Sequence, residues 1–273
     1  MKTNKAVNII MIVIVLLFLL FEMFPIVWII LNSFKNYKDI VFFPPKLFFV
    51  PTFENYINAF QKNNFLFSML DSIIIALSSV CISVFVGCMT AYGIVRLKVG
   101  GSKLLFFTVS SRMIPPILFL LPMFIIFSRL KIMDTYFVLI LVYSTLLLSF
   151  VVWQMSSFLK DIPIEIEEAA IVDGCSKWGV FFRIILPISR PGLTAVGIFA
   201  FLFAWNDYIF ASILGGKNIV TAPVANTYFM VDFIIPWGPM TAASTLIMLP
   251  AFIVILIVQK QMVQGLTMGA LKG

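Results

Sequence analysis

Long apolar runs separated by short polar stretches set the pattern of this chain. After Lys2 and Lys5, residues 6–31 are apolar except for Glu22 and a few neutral polar positions. The run is too long for the apolar region of a cleaved leader, and no small-residue cleavage site follows it, so it reads as a retained membrane helix. Residues 72–95 carry no charge over 24 positions, enough to cross a hydrocarbon core of about 30 Å. A third run, 104–128, contains Arg112 and the prolines Pro115, Pro116 and Pro122. It predicts a kinked span whose freed carbonyls need partners. Residues 135–159 give a fourth span and 191–213 a fifth, which ends on Asn206, Asp207 and a few further residues. The uncharged stretch 233–259 holds a sixth, starting near Met240. The expectation is an all-α polytopic membrane protein with six transmembrane helices. It divides into a first span with its outer segment (1–67), a five-helix core (68–259) and a C-terminal tail (260–273).

The polar stretches refine this picture. Within 32–68, Thr52 is placed to cap a short helix, with Phe53, Tyr56, Ile57 and Phe60 at helical spacing on one side. Counting Lys and Arg with the N-terminus inside puts eleven on the inner side and seven on the outer, with Arg112 within a span. That bias places both termini in the cytoplasm. Arg112 is expected to pair with loop or headgroup groups. The composition agrees with the pattern: 62% hydrophobic and 11% charged, where a soluble chain carries roughly a quarter charged residues. The net charge of +7 therefore reads as topology-setting loop residues rather than a nucleic-acid surface. There is no His, which removes the commonest acid/base and metal ligand. Cys81, Cys88 and Cys175 show no CxxC spacing, so neither a zinc site nor a redox pair is indicated. No catalytic or metal-binding residue is assigned.

One passage breaks the apolar pattern more than any other. Residues 163–191 hold Glu165, Glu167, Glu168, Asp173, Lys177, Arg183 and Arg190 between two membrane runs. Asp161 and Pro163 are helix-start signals, and the three glutamates fall where the helix dipole favours negative charge. Gly174 ends that helix. Ser176 caps a second, in which Trp178, Phe181, Phe182 and Ile185 form an aromatic stripe suited to holding the unit against the spans, and Pro187 stops it. Ala169 and Ala170 give the first helix a flat surface for close approach. On the charge bias, this folded polar loop is cytoplasmic.

Glu168-Ala169-Ala170, three residues, Gly174, nine residues, then Ile184-x-Leu186-Pro187 fills every position of the EAA-loop pattern, EAA-x3-G-x9-I-x-LP. The chain thereby resembles the membrane subunits of bacterial binding-protein-dependent ABC importers. Arg112-Met-Ile-Pro115, Asp134-Thr135, Phe203-Ala-Trp205-Asn206-Asp207 and the tail Gly265-Leu-Thr-x-Gly269-Ala-x-Lys272-Gly273 are similar to the carbohydrate branch, in particular its MalG-like permeases. Cys175 stands where many members have Ala. The resemblance implies the type I importer permease fold, with the EAA loop as a coupling helix docked on a cytoplasmic ATPase. By match, Glu168, Ala169, Ala170, Asp173 and Gly174 are the ATPase-coupling residues, and Gln264, Gly265 and Thr267 in the tail are a second contact.

The resemblance also implies partners: a second homologous permease, two ATP-binding subunits, an extracytoplasmic solute-binding protein and a sugar substrate, all at the bacterial plasma membrane. No G-x-x-x-x-G-K-[ST] occurs in this chain, so ATP and Mg belong to the partner subunit, this chain needs no cofactor, and it is no enzyme. Trp205, Asn206 and Asp207 are candidate substrate-pathway residues, because polar groups inside spans are costly unless they face a cavity or a partner. The alternatives are the same machinery for another solute, such as glycerol phosphate or a polyamine, or an ion-coupled secondary transporter.

Overall fold

The computed structural model describes residues 5–61, 64–230 and 235–270, and among these every regular element is helical. The chain forms two compact units, one from Met1–Phe67 and Ala225–Leu249, the other from Ser68–Val224 and Pro250–Gly273.

In the first unit, α1 (Lys5–Ser33) is 29 residues long, about 44 Å at 1.5 Å per residue. Its most apolar window is entirely unburied, as a lipid-facing span requires. The end of α1 leaves carbonyls without intrahelical donors. The Asn55 side chain, from α2 (Glu54–Gln61), supplies two, donating to Ser33 O at 2.9 Å and Lys35 O at 2.7 Å. Lys35 is itself buried, its Nζ donating to Asn32 Oδ1 at 3.0 Å and lying 4.3 Å from the Trp28 ring centroid. Burial lowers its pKa, and Asp39 partly offsets the shift. The short helix appears where the sequence pattern places it, and Tyr56 of its aromatic side hydrogen-bonds Ser33 Oγ at 2.7 Å. Asn55 and Ala59 are buried, whereas Phe53, Ile57 and Phe60 stay exposed. Satisfying backbone carbonyls outweighs burying the aromatic side here. A Cβ added at Gly238 would overlap Asn55, so a glycine closes the contact.

The second unit is built around α6 (Tyr136–Asp161), the most buried of the long spans. It packs on α3 (Phe65–Val95), and the two approach closely: a Cβ at Gly87 would meet Val151 Cγ1 at 2.6 Å. Small residues permit such contacts between membrane helices. The third apolar run is not one kinked span. It is two helices, α4 (Gly101–Ser111) and α5 (Ile117–Arg129), broken at Arg112–Pro116. Consecutive Pro115 and Pro116 remove two N–H donors and disfavour helix before them, so the run breaks rather than bends. Arg112 at the break does not reach a loop; its guanidinium lies 4.9 Å from the Phe150 ring and 5.5 Å from the Trp153 ring, on α6.

Beyond α6 come α7 (Glu165–Val172), α8 (Lys177–Ile188) and α9 (Arg190–Trp205). Short helices α10 (Ile209–Leu214) and α11 (Ala222–Thr227) follow, and α12 (Trp237–Ala270) ends the described chain. The expected fifth span stops at Trp205 because Asn206 turns back on it, donating from Nδ2 to Leu202 O at 2.8 Å. By length and composition four helices suffice to cross a membrane, and five if the bent pair α8–α9 counts as one.

Candidate functional site

The polar loop leaves α6 through residues 162–164 and returns through α8. Asp161 is not a cap for α7; it is the last residue of α6, and Ile164 takes the N-cap position without a side-chain bond. Ile162, buried between the two helices, fixes the turn. The end of α7 follows the sequence reading. Gly174 has φ +88°, a conformation that a side chain disfavours, and Cys175 N donates to Ala170 O at 2.9 Å. Ser176 then caps α8, accepting from Gly179 N at 3.1 Å.

Helix α8 departs from expectation at both ends of its apolar face. Pro187 does not stop it. A π turn over Phe181–Ile185 lets Leu186 N reach Phe181 O, and Pro187 sits inside continuing helix. The chain bends instead at Ser189, by 73°. The aromatic stripe is split: Phe181 and Ile185 are buried, whereas Trp178 and Phe182 are exposed and stacked at 6.2 Å. The stripe is wider than the groove that receives it.

The expected contact residues fall on two faces of α7. Glu168, Ala169, Asp173 and Gly174 form an exposed edge. Ala170 is turned inward and packs in the core cluster with Ala91, Met155 and Phe181. The flat Ala-Ala surface is therefore divided, one alanine to each side, because neighbouring helix positions lie about 100° apart. Beside the exposed edge is a cleft of about 590 Å³, lined by Asp173, Gly174, Ser176, Trp178, Phe182 and Arg183.

Sequence reasoning missed the most strongly held carboxylate of the loop. Glu167 is only 5% exposed. Its Oε1 pairs with Arg96 Nε at 2.5 Å, and its Oε2 accepts from Tyr92 OH at 3.1 Å. Arg96 also donates through Nη2 to Leu159 O at 2.9 Å and Ile162 O at 2.6 Å. Read along the chain, Glu167 is one of three dipole-favoured glutamates and Arg96 one of several basic loop residues. The available signal was a Tyr and an Arg four residues apart, on one face at the end of an apolar run.

The pathway candidates also separate. Trp205 is 1% exposed and stacks on Phe201 at 5.6 Å, facing the core. Asn206 and Asp207 line an open cleft of about 580 Å³ with Phe199, Leu202, Phe203, Tyr208 and Ile209. Asp207 Oδ2 accepts from Tyr143 OH at 2.6 Å and from the amides of Phe210 and Ala211, which anchors α10. Asp134 makes a similar clamp. It accepts from the backbone amides of Lys217, Asn218 and Ile219 and from Asn218 Nδ2, all at 2.9–3.0 Å. The backbone of Gln264, Gly265 and Thr267 continues α12, and their side chains lie outside the described residues.

Residues 83–268 match a family described as the binding-protein-dependent transport system inner membrane component. The chain is 36% identical over 256 residues to the trehalose transport system permease protein of Mycobacterium tuberculosis, covering 91% of this chain and 92% of that one. It is 31% identical over 252 residues to the sulfoquinovosyl glycerol transport system permease protein of Agrobacterium fabrum, covering 91% and 88%. The fold is similar to a chain of a bacterial ABC transporter involved in the import of the acidic polysaccharide alginate. That match has a TM-score of 0.80 at 19% identity, over 95% of this chain and 98% of the other.

Proposed function

This chain belongs to the family of binding-protein-dependent transport system inner membrane components, and we propose that it forms one permease half of an ATP-driven sugar importer. It is a multi-pass protein of the plasma membrane, and its relatives are transport permease subunits. The observation that carries the coupling part of the reading is the exposed edge Glu168, Ala169, Asp173 and Gly174 on a loop whose opposite face is buried in its own protein. An edge of that kind is built to be gripped. In this reading a cytoplasmic ATPase grips it, with Ala170 supporting it from behind. Gln264, Gly265 and Thr267 add a second contact. ATP and Mg stay on the ATPase, and this chain carries no cofactor and no catalytic residue.

The six-span count is recovered when α4–α5 is taken as one broken span and α8–α9 as another, with both termini cytoplasmic. A second permease completes the cavity, and a solute-binding protein delivers substrate from outside. Asn206 and Asp207 face the pathway, and Trp205 backs it. The sugar part of the reading is supported by relatives whose names specify trehalose and sulfoquinovosyl glycerol transport.

Co-expression with the ATPase and affinity purification through this chain tests the coupling. The wild-type complex is expected to survive purification, and Glu168→Ala with Gly174→Ala is expected to release the ATPase. An intact complex after the double change overturns the assignment. For the substrate, the ligand carried by the cognate binding protein is expected to be a sugar; a polyamine or glycerol phosphate would overturn that part alone.

A further inference from the structure

We infer that Arg96 and Glu167 are positioning residues that make the loop helix α7 one rigid body with α3 and α6, so that a pull on the loop reaches those two spans through fixed polar bonds and α9 only through apolar packing. The inference rests on the coupling reading above and names the joint that reading requires. Glu168 and Glu167 share a turn and point about 100° apart, one exposed and one 5% exposed. The outward residue is free to meet a partner. The inward residue is tied to α3 twice, once to Arg96 at its end and once to Tyr92 a turn earlier.

One guanidinium serves three elements. Arg96 belongs to the end of α3, its Nε meets α7, and its Nη2 meets the carbonyls of Leu159 and Ile162 where α6 ends. At this helix end the Leu159 carbonyl accepts otherwise only from the Ile162 amide, at 3.3 Å, and the helix dipole there favours a cation. The Nη2 bonds fix direction at the end of α6, which an ammonium or an apolar contact does not, while Nε meets Glu167 Oε1 as an ion pair without hydrogen-bond alignment and Tyr92 OH supplies the directed bond to that carboxylate. Buried ion pairs often add little stability over well-packed apolar residues, so stability does not by itself explain one here. The link to α9 is of another kind. Along the chain it runs through a π turn and a 73° bend at Ser189, and across the bundle it is apolar, with Gly192 closing on Phe158 and Phe199 edge-on to Phe150. The charged joint therefore lies between the loop and α3–α6, and the bend lies between the loop and α9.

The test is a pair of spin-label distances on the full chain in nanodiscs, alone and assembled with its ATPase and second permease. One pair joins the loop to α3, using Trp178→Cys and the exposed native Cys81, with Cys88→Ala and Cys175→Ser removing the other thiols. The other joins Trp178→Cys to Phe199→Cys on α9, with Cys81→Ser added. Trapping the complex with MgATP and vanadate is expected to leave the loop–α3 distance unchanged and to shift the loop–α9 distance. Arg96→Gln is expected to broaden the loop–α3 distance while the ATPase still co-purifies, with Arg96→Lys intermediate. Should Arg96→Gln fail to fold, Arg96→Met with Glu167→Leu replaces the stranded charge by packing, and the loop–α3 distance is again expected to broaden. An unbroadened loop–α3 distance in these variants overturns the inference. So does a wild-type complex in which the loop–α3 distance shifts and the loop–α9 distance does not. Loss of the ATPase from the wild-type complex would sink the coupling reading instead, and leaves the joint measurable in the chain alone.

Discussion

The two ends of α6 are held by carboxylates, but in opposite ways. At its start Asp134, half-exposed, collects three backbone amides and one side-chain amide from residues 217–219. Beside it, Tyr136 OH donates to Asp71 Oδ1 at 2.5 Å, and Asp71 Oδ2 accepts from Val220 N. No cation takes part in these bonds. At its end Glu167 is buried and faces Arg96. A carboxylate surrounded by amides shapes a loop and tolerates water nearby. A carboxylate buried on a guanidinium depends on one partner, and each is stranded without the other. The first arrangement holds a loop in place locally, and the second ties whole helices together in a fixed direction.

That contrast is broken most severely by Arg96→Gln. The uncompensated Glu167 is expected to cost about 3–5 kcal/mol, read as a fall in the thermal midpoint in detergent. Arg96→Met with Glu167→Leu is expected to recover most of that loss, and a double-mutant cycle on the pair measures the coupling directly. Next in size is Gly87→Leu, on α3 where it faces α6 between the two ends. Its side chain meets Val151, and overpacking of this kind costs about 1–3 kcal/mol globally. Asp134→Ala removes four hydrogen bonds at a half-exposed site, where water takes up the freed amides, so the net cost is about 1–2 kcal/mol. That loss is local, so faster amide exchange at residues 217–219 is expected with little change in the midpoint. A global fall of the Arg96→Gln size would erase the distinction between the two ends. Smallest is Ser176→Ala, which removes the cap of α8 for about 1 kcal/mol and should raise exchange at Gly179 without moving the midpoint.

Much of this architecture is legible along the chain because it is local. The spans follow from uncharged runs, the Gly174 turn from the need for a left-handed residue, and the Ser176 cap from its place before an apolar repeat. The EAA spacing pointed to the exposed edge of α7. What could not be read are pairings between distant positions. Tyr92 and Glu167 are 75 residues apart, and nothing in either neighbourhood names the other. The inward turn of Ala170 depends on how α7 docks, not on alanine. The face by which α2 packs was not legible for a related reason. Helical spacing finds an aromatic side, but the carbonyls at the end of α1 decide which side is used.

The π turn over Phe181–Ile185 gives the nine-residue spacing between Gly174 and Ile184 a meaning beyond distance. A π turn takes up one extra residue within a single wider turn, so the helix on either side keeps nearly its regular phase. A single deletion inside it is absorbed as the turn closes, whereas the same deletion elsewhere in α8 rotates what precedes it by about 100° relative to α9. The interval works like slack in a gear train: within the π turn a change of one residue is taken up, and outside it a change of one residue is a change of direction.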